Sequence, residues 1–259
     1  MRENLSESIF LLENIWFRYA RDKPDFLFQD LSLEIRSGES LALIGPSGEG
    51  KSTLLKLMTG LLVPEKGRAL CFGRKLGEMA VAERAAAMRR IGMTFQNSGL
   101  FDSLSCGENL KFPLEESDSP GDIPALARAA LAEVGLTGIE GLRTHQISGG
   151  MRKRLGIARA HILSPEVVLY DEPTAGLDPL TSRAIIDLIL QLKRQHHVTV
   201  IVVTNDPAQA FQIAETIAFI DQGKIVQRGT PDEIRHSQVP GVRRFLNAFV
   251  GLGSEEGKA

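Results

Sequence analysis

The chain has 259 residues, a formal net charge of −2, 43% hydrophobic residues and 24% charged residues. That length can bury a sizeable core, the composition is that of an ordinary globular protein, and the charge balance gives no basic signal for nucleic acid. Cys71 and Cys106 lack metal-ligand spacing and read as reduced thiols of a cytosolic protein. Residues 1–8 are polar and acidic and are not expected to be a signal peptide. The longest apolar run, 198–203, is too short to span a bilayer.

In chain order, 9–19 and 26–35 read as strands joined by a turn at 21–25. Leu31, Leu33 and Ile35 alternate with Ser32, Glu34 and Arg36, the pattern of a half-buried antiparallel strand. After a turn at Ser37-Gly38, the apolar run Leu41-Ala42-Leu43-Ile44 leads into Gly45-Pro46-Ser47-Gly48-Glu49-Gly50-Lys51-Ser52. This is G-x-x-x-x-G-K-S between a strand and a helical pattern over 51–61, the context that a phosphate-binding loop requires. Its glycines tolerate φ > 0 and let the backbone approach a polyphosphate. The backbone N–H groups and the helix N-terminus then turn partial positive charge toward the anion. Lys51 is expected to reach the β- and γ-phosphates, and the Ser52 hydroxyl to ligate Mg²⁺.

A turn at 64–67, a short strand at 68–72, an alanine-rich helix at 80–90 and a strand at 91–95 come next. From 106 to 164 the pattern is helical, with one helix starting within 120–124 and running to 134, and another over 149–163. Strand–helix alternation then resumes: strand 167–170, helix 179–196, strand 198–204, helix 207–214. Short strands at 217–220 and 224–228 flank Asp221-Gln222-Gly223, and a helix over 240–249 precedes a polar tail, 254–259, expected to be disordered. Apolar strands alternating with helices predict a mostly parallel α/β sheet, with the helical block inserted into it. Val167-Val168-Leu169-Tyr170-Asp171-Glu172 is a strand ending in two carboxylates, at the sheet end where ligands bind. Asp171 can hold Mg²⁺ through water, and Glu172 can orient or deprotonate an attacking water.

Between these motifs lies His145-Gln146-Ile147-Ser148-Gly149-Gly150-Met151, at the start of a helix. Here the chain resembles the ATP-binding cassette (ABC) family, and the resemblance covers almost its whole length. It implies an α/β P-loop NTPase fold with a mostly parallel core sheet, an antiparallel N-terminal β-subdomain and an inserted α-helical subdomain. Residues 1–259 would form one nucleotide-binding domain, with 9–97 and 165–235 as core and β-subdomain, 98–164 as helical subdomain, and 236–259 as C-terminal helix and tail. ATP and Mg²⁺ are the implied cofactors. The implied nucleotide-binding residues are Gly45, Pro46, Ser47, Gly48, Glu49, Gly50, Lys51, Ser52 and Thr53, with Ser52, Gln96 and Asp171 toward the metal.

The family also implies a head-to-tail homodimer, in which the signature Ser148, Gly149, Gly150 and Met151 caps the γ-phosphate held by the other copy. Ile147 and Met151 replace the usual Leu and Gln. By the same resemblance Tyr19 stacks on adenine, and Gln96 contacts Mg²⁺ and the attacking water in a loop that touches the membrane partner. Ala175-Gly176-Leu177-Asp178 is the D-loop crossing the dimer interface. Asn205, in Thr204-Asn205-Asp206, stands where the family usually has a switch histidine. An amide can donate to a γ-phosphate but cannot carry a proton. A slow ATPase with Glu172 as base is therefore expected.

Two further stretches narrow the resemblance: Phe95-Gln96-Asn97-Ser98-Gly99-Leu100-Phe101-Asp102-Ser103-Leu104 and Glu108-Asn109-Leu110-Lys111-Phe112-Pro113-Leu114. They are similar to the MlaF-type phospholipid-trafficking cassettes, in which Ser-Gly-Gly-Met is common. Val242-Arg243-Arg244-Phe245-Leu246-Asn247 is similar to the end of such chains. This implies two copies of the ATPase on two copies of a polytopic permease, at the cytoplasmic face of the inner membrane. An MCE-domain periplasmic protein, and in some systems a small STAS-domain protein, would complete the assembly, with no nucleic acid. The residues leave open a cassette for amino acids or lipoproteins, or a soluble cassette such as an iron–sulfur assembly ATPase. One P-loop argues against two-cassette translation factors, and the absence of long heptads argues against repair proteins.

Overall fold

A computed structural model describes residues 8–20, 25–96, 98–117 and 120–250. Residues 21–24 of the expected turn at 21–25, and the tail at 254–259, lie outside the described residues, as does Asn97. The first elements are β1 (Ser8–Phe17), β2 (Phe28–Arg36), β3 (Ser40–Ile44), α1 (Lys51–Met58), β4 (Lys66–Cys71), α2 (Val81–Arg89) and β5 (Ile91–Thr94). The helices α3 (Cys106–Glu116), α4 (Ile123–Glu133) and α5 (Gly149–His161) follow, then β6 (Val167–Asp171), α6 (Pro179–His196) and β7 (Thr199–Thr204). The chain continues through α7 (Pro207–Ile213), β8 (Thr216–Asp221), β9 (Lys224–Gly229), α8 (Pro231–Arg235) and α9 (Pro240–Val250). Two compact units result, Met1–Arg84 with Val200–Ala259, and Ala85–Thr199.

In the first unit β2, β1 and β4 form an antiparallel sheet in that order. Leu31, Leu33 and Ile35 are buried while Ser32 and Arg36 are exposed, as the alternation requires. The first strand stops at Phe17, short of the expected 19, and so leaves Tyr19 in a loop. β3 pairs in parallel with β7 on one side and β8 on the other, and all five of its residues are buried. A strand covered on both faces is apolar throughout, which is why 41–44 shows no alternation. β9 turns back on β8 through Gln222 (φ 49°) and Gly223 (φ 69°), a two-residue hairpin that needs two left-handed positions.

The helix expected over 51–61 ends at Met58, because Gly60 (φ 66°) takes the left-handed position that closes a helix. α8 was not legible. At five residues it is too short for periodicity, and it is announced only by the capping box of Thr230 and Glu233. α9 buries Val242 and Phe245 in the core formed by Ala42, Ile44, Ile217 and Phe219. Phe245 stands edge-on to Phe219 at 5.2 Å.

In the second unit β5 and β6 run parallel. A Cβ on Gly92 of β5 would collide with the Ala160 carbonyl of α5, so glycine sets how closely that helix lies on the strand. The helices α3, α4 and α5 pack through Leu110, Leu114, Ala127, Leu131 and Leu155, all nearly inaccessible. Ser105 and Glu108 form a capping box at the start of α3, and Asp122 caps α4 ahead of Pro124. Cys71 and Cys106 are both buried free thiols, and burial raises the pKa of Cys106.

Candidate functional site

The first unit supplies a cradle for a polyphosphate. Gly45, Gly48 and Gly50 have φ of 151°, 91° and 90°. Two of these are enforced by packing. A Cβ at Gly45 would collide with the Ile220 carbonyl, and one at Gly50 would lie 2.5 Å from Phe28 Cζ. At Gly48 the space is open. α1 has Gly50 at its N-cap, with no side-chain cap and no acid in its first turn, so its N-terminal dipole is suited to an anion. Lys51 is 6% exposed, and its Nζ donates to the carbonyls of Gly45 (2.8 Å) and Pro46 (2.7 Å). Those carbonyls hold the buried ammonium over its own loop.

Ser52 is half-buried beside it, while Ser47 and Gly48 are exposed. The Glu49 carboxylate points elsewhere: it accepts the Gly223 N–H at 3.1 Å and braces the β8–β9 hairpin. Glu49 can therefore offer a nucleotide only its backbone. Tyr19 is 65% exposed, edge-on to Phe17, with its hydroxyl 2.7 Å from Thr53 Oγ1. A buried core tyrosine is excluded, and an aromatic face beside the loop is available for stacking.

Asn205 follows from register. Ile44 of β3 pairs with Thr204 of β7, so Gly45 and Asn205 leave the sheet at the same level. Thr204 Oγ1 accepts the Asp206 N–H, and Asp206 caps α7.

The second unit brings together the other predicted residues. Thr94 pairs with Tyr170, so Gln96 and Glu172 both emerge just beyond the carboxyl ends of β5 and β6. Asp171 is 7% exposed and Gln96 is exposed. Glu172 has φ 47°, a left-handed conformation that costs a non-glycine residue on the order of 1 kcal/mol or more. Its carbonyl accepts N–H of Ala175 at 3.2 Å and Lys153 Nζ at 3.1 Å. The same Nζ donates to the Gln96 carbonyl at 2.5 Å. Burial pushes the Lys153 pKa below the ordinary lysine value, against the opposing pull of Glu172 and Asp171.

The signature residues open α5. Ser148 Oγ accepts the Met151 N–H at 3.2 Å and caps the helix, which leaves its hydroxyl proton free to donate. Gly150 is glycine for packing: a Cβ would lie 2.7 Å from Thr181 Cγ2 at the start of α6. Asp178 caps α6, accepting from Leu180 N and Thr181 N at 3.0 Å each and from the Thr181 hydroxyl. The hydrogen bonds from Thr181 hold its carboxyl below the usual carboxylate range. In the same loop Ala175 and Leu177 are half-buried, and Gly176 (φ 77°) is exposed.

Sequence patterns missed a buried pair behind Asp171. His161 of α5 sits 2.7 Å through Nε2 from the hydroxyl of Tyr170 and packs 5.6 Å from the ring of His196. Burial, with a smaller contribution from His196, lowers its pKa to about 4. The unfolded chain takes up that proton near pH 6.5, and the native protein only near pH 4. The group's contribution is therefore complete above pH 6.5 and lost as pH falls toward 4, by about 3 kcal/mol at most. Urea midpoints measured from pH 7 to pH 4 should fall less steeply for His161→Leu than for the unsubstituted chain.

A strand–loop–helix phosphate cradle and a strand ending in Asp171-Glu172 define a P-loop nucleotide hydrolase. A model of the ABC transporter family matches residues 28–175, and the chain belongs to this family. It is 39% identical over 242 residues to the chloroplastic protein TRIGALACTOSYLDIACYLGLYCEROL 3 of Arabidopsis thaliana, covering 86% of this chain and 70% of that one. Over 248 residues it is 34% identical to the intermembrane phospholipid transport ATP-binding protein MlaF of Haemophilus influenzae, covering 95% and 91%. It is also 35% identical to the methionine import ATP-binding protein MetN of Caulobacter vibrioides, covering 85% and 67%.

Among solved structures, the dimeric post-hydrolysis state of an ATP-binding cassette bound to ADP and Pi superposes with a TM-score of 0.78. That structure is 28% identical and is covered over 86% of this chain and 98% of its own. The chain is thus an ATP-binding, ATP-hydrolysing subunit of the ABC transporter class, with the expected ABC cassette fold. Among the described residues no helix is long and apolar enough to cross a membrane.

Proposed function

We propose that this ATPase energises phospholipid trafficking between membranes, as the MlaF-type subunit of a complex with a polytopic permease and an MCE-domain protein. The observation that carries the reading is the segment from Phe95 to Leu114, similar in sequence to that subfamily, in which Phe101 and Phe112 form a partly exposed aromatic pair. Asn109 knits it together: its Oδ1 accepts the Phe101 N–H at 2.8 Å, and its Nδ2 donates to the carbonyls of Phe101 and Ser105. Phe101 and Phe112 are each about two-fifths exposed and meet edge-to-face at 5.1 Å, with the Arg159 guanidinium over Phe101. A partly exposed aromatic pair of this kind suits an apolar helix of a membrane partner. The chain would then sit at the cytoplasmic face of the inner membrane, held by its permease, and a small STAS-domain protein could join.

Two copies would share two nucleotides, with Ser148, Gly149 and Gly150 of one copy facing the phosphates held by Lys51 of the other. The D-loop, Ala175 to Asp178, would cross that interface. Ser52, Gln96 and Asp171 offer only oxygen donors, the set that Mg²⁺ prefers. The described residues contain no cluster of three or more His, Cys, Asp or Glu that could cage a metal, so the ion would lean on the nucleotide's phosphates. When bound, it neutralises charge on the β- and γ-phosphates. Glu172 takes a proton from the attacking water as the new O–P bond forms at the γ-phosphorus and the bond to the bridging oxygen breaks, leaving ADP and Pi. Asn205 donates a neutral hydrogen bond and moves no proton.

The similarity to a methionine import subunit supports a second reading, an amino-acid importer. Purification from detergent-solubilised membranes separates the two. A permease with an MCE-domain protein and phospholipid in the eluate is the expected result. A permease with a soluble amino-acid-binding protein and no retained lipid would overturn the lipid reading and leave the ATPase intact.

A further inference from the structure

We propose that Lys153 is a positioning residue for hydrolysis, a cation on the signature helix that fixes the backbones of Gln96 and Glu172 together. The inference rests on Glu172 acting as the base. Lys153 reaches both residues through their carbonyls, at 2.5 Å and 3.1 Å.

Three further observations support this role. The first is the strained residue itself. Glu172 is held at φ 47°, and such a conformation persists only where its surroundings over-determine it. The Ala175 N–H and the Lys153 ammonium both grip its carbonyl.

The second is the charge pattern of α5. Its first turn has no acid and is followed directly by Arg152, Lys153 and Arg154. Cations in this part of the helix gain nothing from its dipole. Arg152 is engaged locally, donating to the Ile147 carbonyl at 2.8 Å.

The third is the helix face. Gly156 lies one turn on from Lys153, and a Cβ there would come within 3.1 Å of the Ser98 carbonyl. Arg159 donates to the Gly99 carbonyl at 2.6 Å. Residues 153, 156 and 159 thus seat the loop after β5 along one side of the signature helix, and only Lys153 extends the contact to the end of β6. A movement of α5 that accompanies capping of a nucleotide would therefore shift Gln96 and Glu172 as a pair.

The test compares the full chain with Lys153→Met, Lys153→Arg and Glu172→Gln, reading kcat, KM for ATP and the melting temperature. The expected result for Lys153→Met is a kcat at least tenfold lower, with KM within twofold and the melting temperature within about 2 °C. Lys153→Arg should recover more than half of the lost kcat, since a guanidinium can also span two carbonyls. If the Met variant does not fold, Lys153→Gln is judged by the same criteria.

A Met variant turning over within twofold of the parent would overturn the proposal. So would a loss of kcat accompanied by lower thermal stability, or an Arg variant that folds but stays as slow as Met. Retained turnover in Glu172→Gln would instead remove the base assignment on which the clamp rests. Lost turnover there with an unaffected Lys153→Met removes the clamp alone.

Discussion

Glu172→Gln lowers ATP turnover by roughly 10²–10⁴-fold, the range expected when a general base is removed, and phosphate release under saturating ATP measures it. The substitution keeps the size of the side chain and the φ 47° backbone held by Ala175 and Lys153, so the fold should be preserved. What it removes is the acceptor for the water's proton. In a cassette with a switch histidine, a second titratable group would stand near the γ-phosphate. If Asn205 occupies that position, as proposed, its amide cannot relay a proton and little residual turnover should survive. Nucleotide binding should persist or tighten, because the cradle around Lys51 is untouched and hydrolysis no longer opens the site. A variant retaining more than a tenth of the parent rate would show that another group takes the proton.

Lys51→Ala weakens ATP affinity roughly 100-fold or more, corresponding to the loss of charge-assisted bonds worth about 1.5–3 kcal/mol each. Titration with a fluorescent ATP analogue measures it. The lysine is 6% exposed and already aimed across its loop by the carbonyls of Gly45 and Pro46. Exchanging those acceptors for phosphate oxygens would cost little reorganisation. Without the ammonium, only the backbone N–H groups and the start of α1 remain for the anion. The two carbonyls would then face the polyphosphate uncompensated, which adds to the loss. Melting temperature should change little by comparison, since the cradle glycines are fixed by Phe28 and Ile220.

These effects trace to residues legible in the sequence, because the P-loop and the paired carboxylates are local patterns with strict spacing. The parallel core was legible for a similar reason: strands such as 41–44, buried on both faces, are continuously apolar. What escaped depends on contacts that leave no periodic trace. Lys153 acts on backbone carbonyls, and any sequence at Gln96 and Glu172 would present those. Glu49 lies inside the P-loop motif, yet its carboxylate serves the Gly223 amide across 174 positions of chain. Asp178 reads as part of the D-loop, and in the structure it also caps α6, which starts at Pro179 as the sequence predicts. His161 and Tyr170 lie nine residues apart on different elements, and only packing reveals that they meet.

The central claim is that one chain holds half of each nucleotide site and that a second copy completes it. Light scattering of Glu172→Gln with ATP and Mg²⁺, and again with ADP, tests it most directly. With ATP the mass should be twice the 28.3 kDa of one chain, and with ADP that of a single chain. Ser148→Arg in the same background should abolish the ATP-dependent species without weakening ATP binding to the monomer. A single-chain mass under saturating ATP, with nucleotide demonstrably bound, would contradict the shared site.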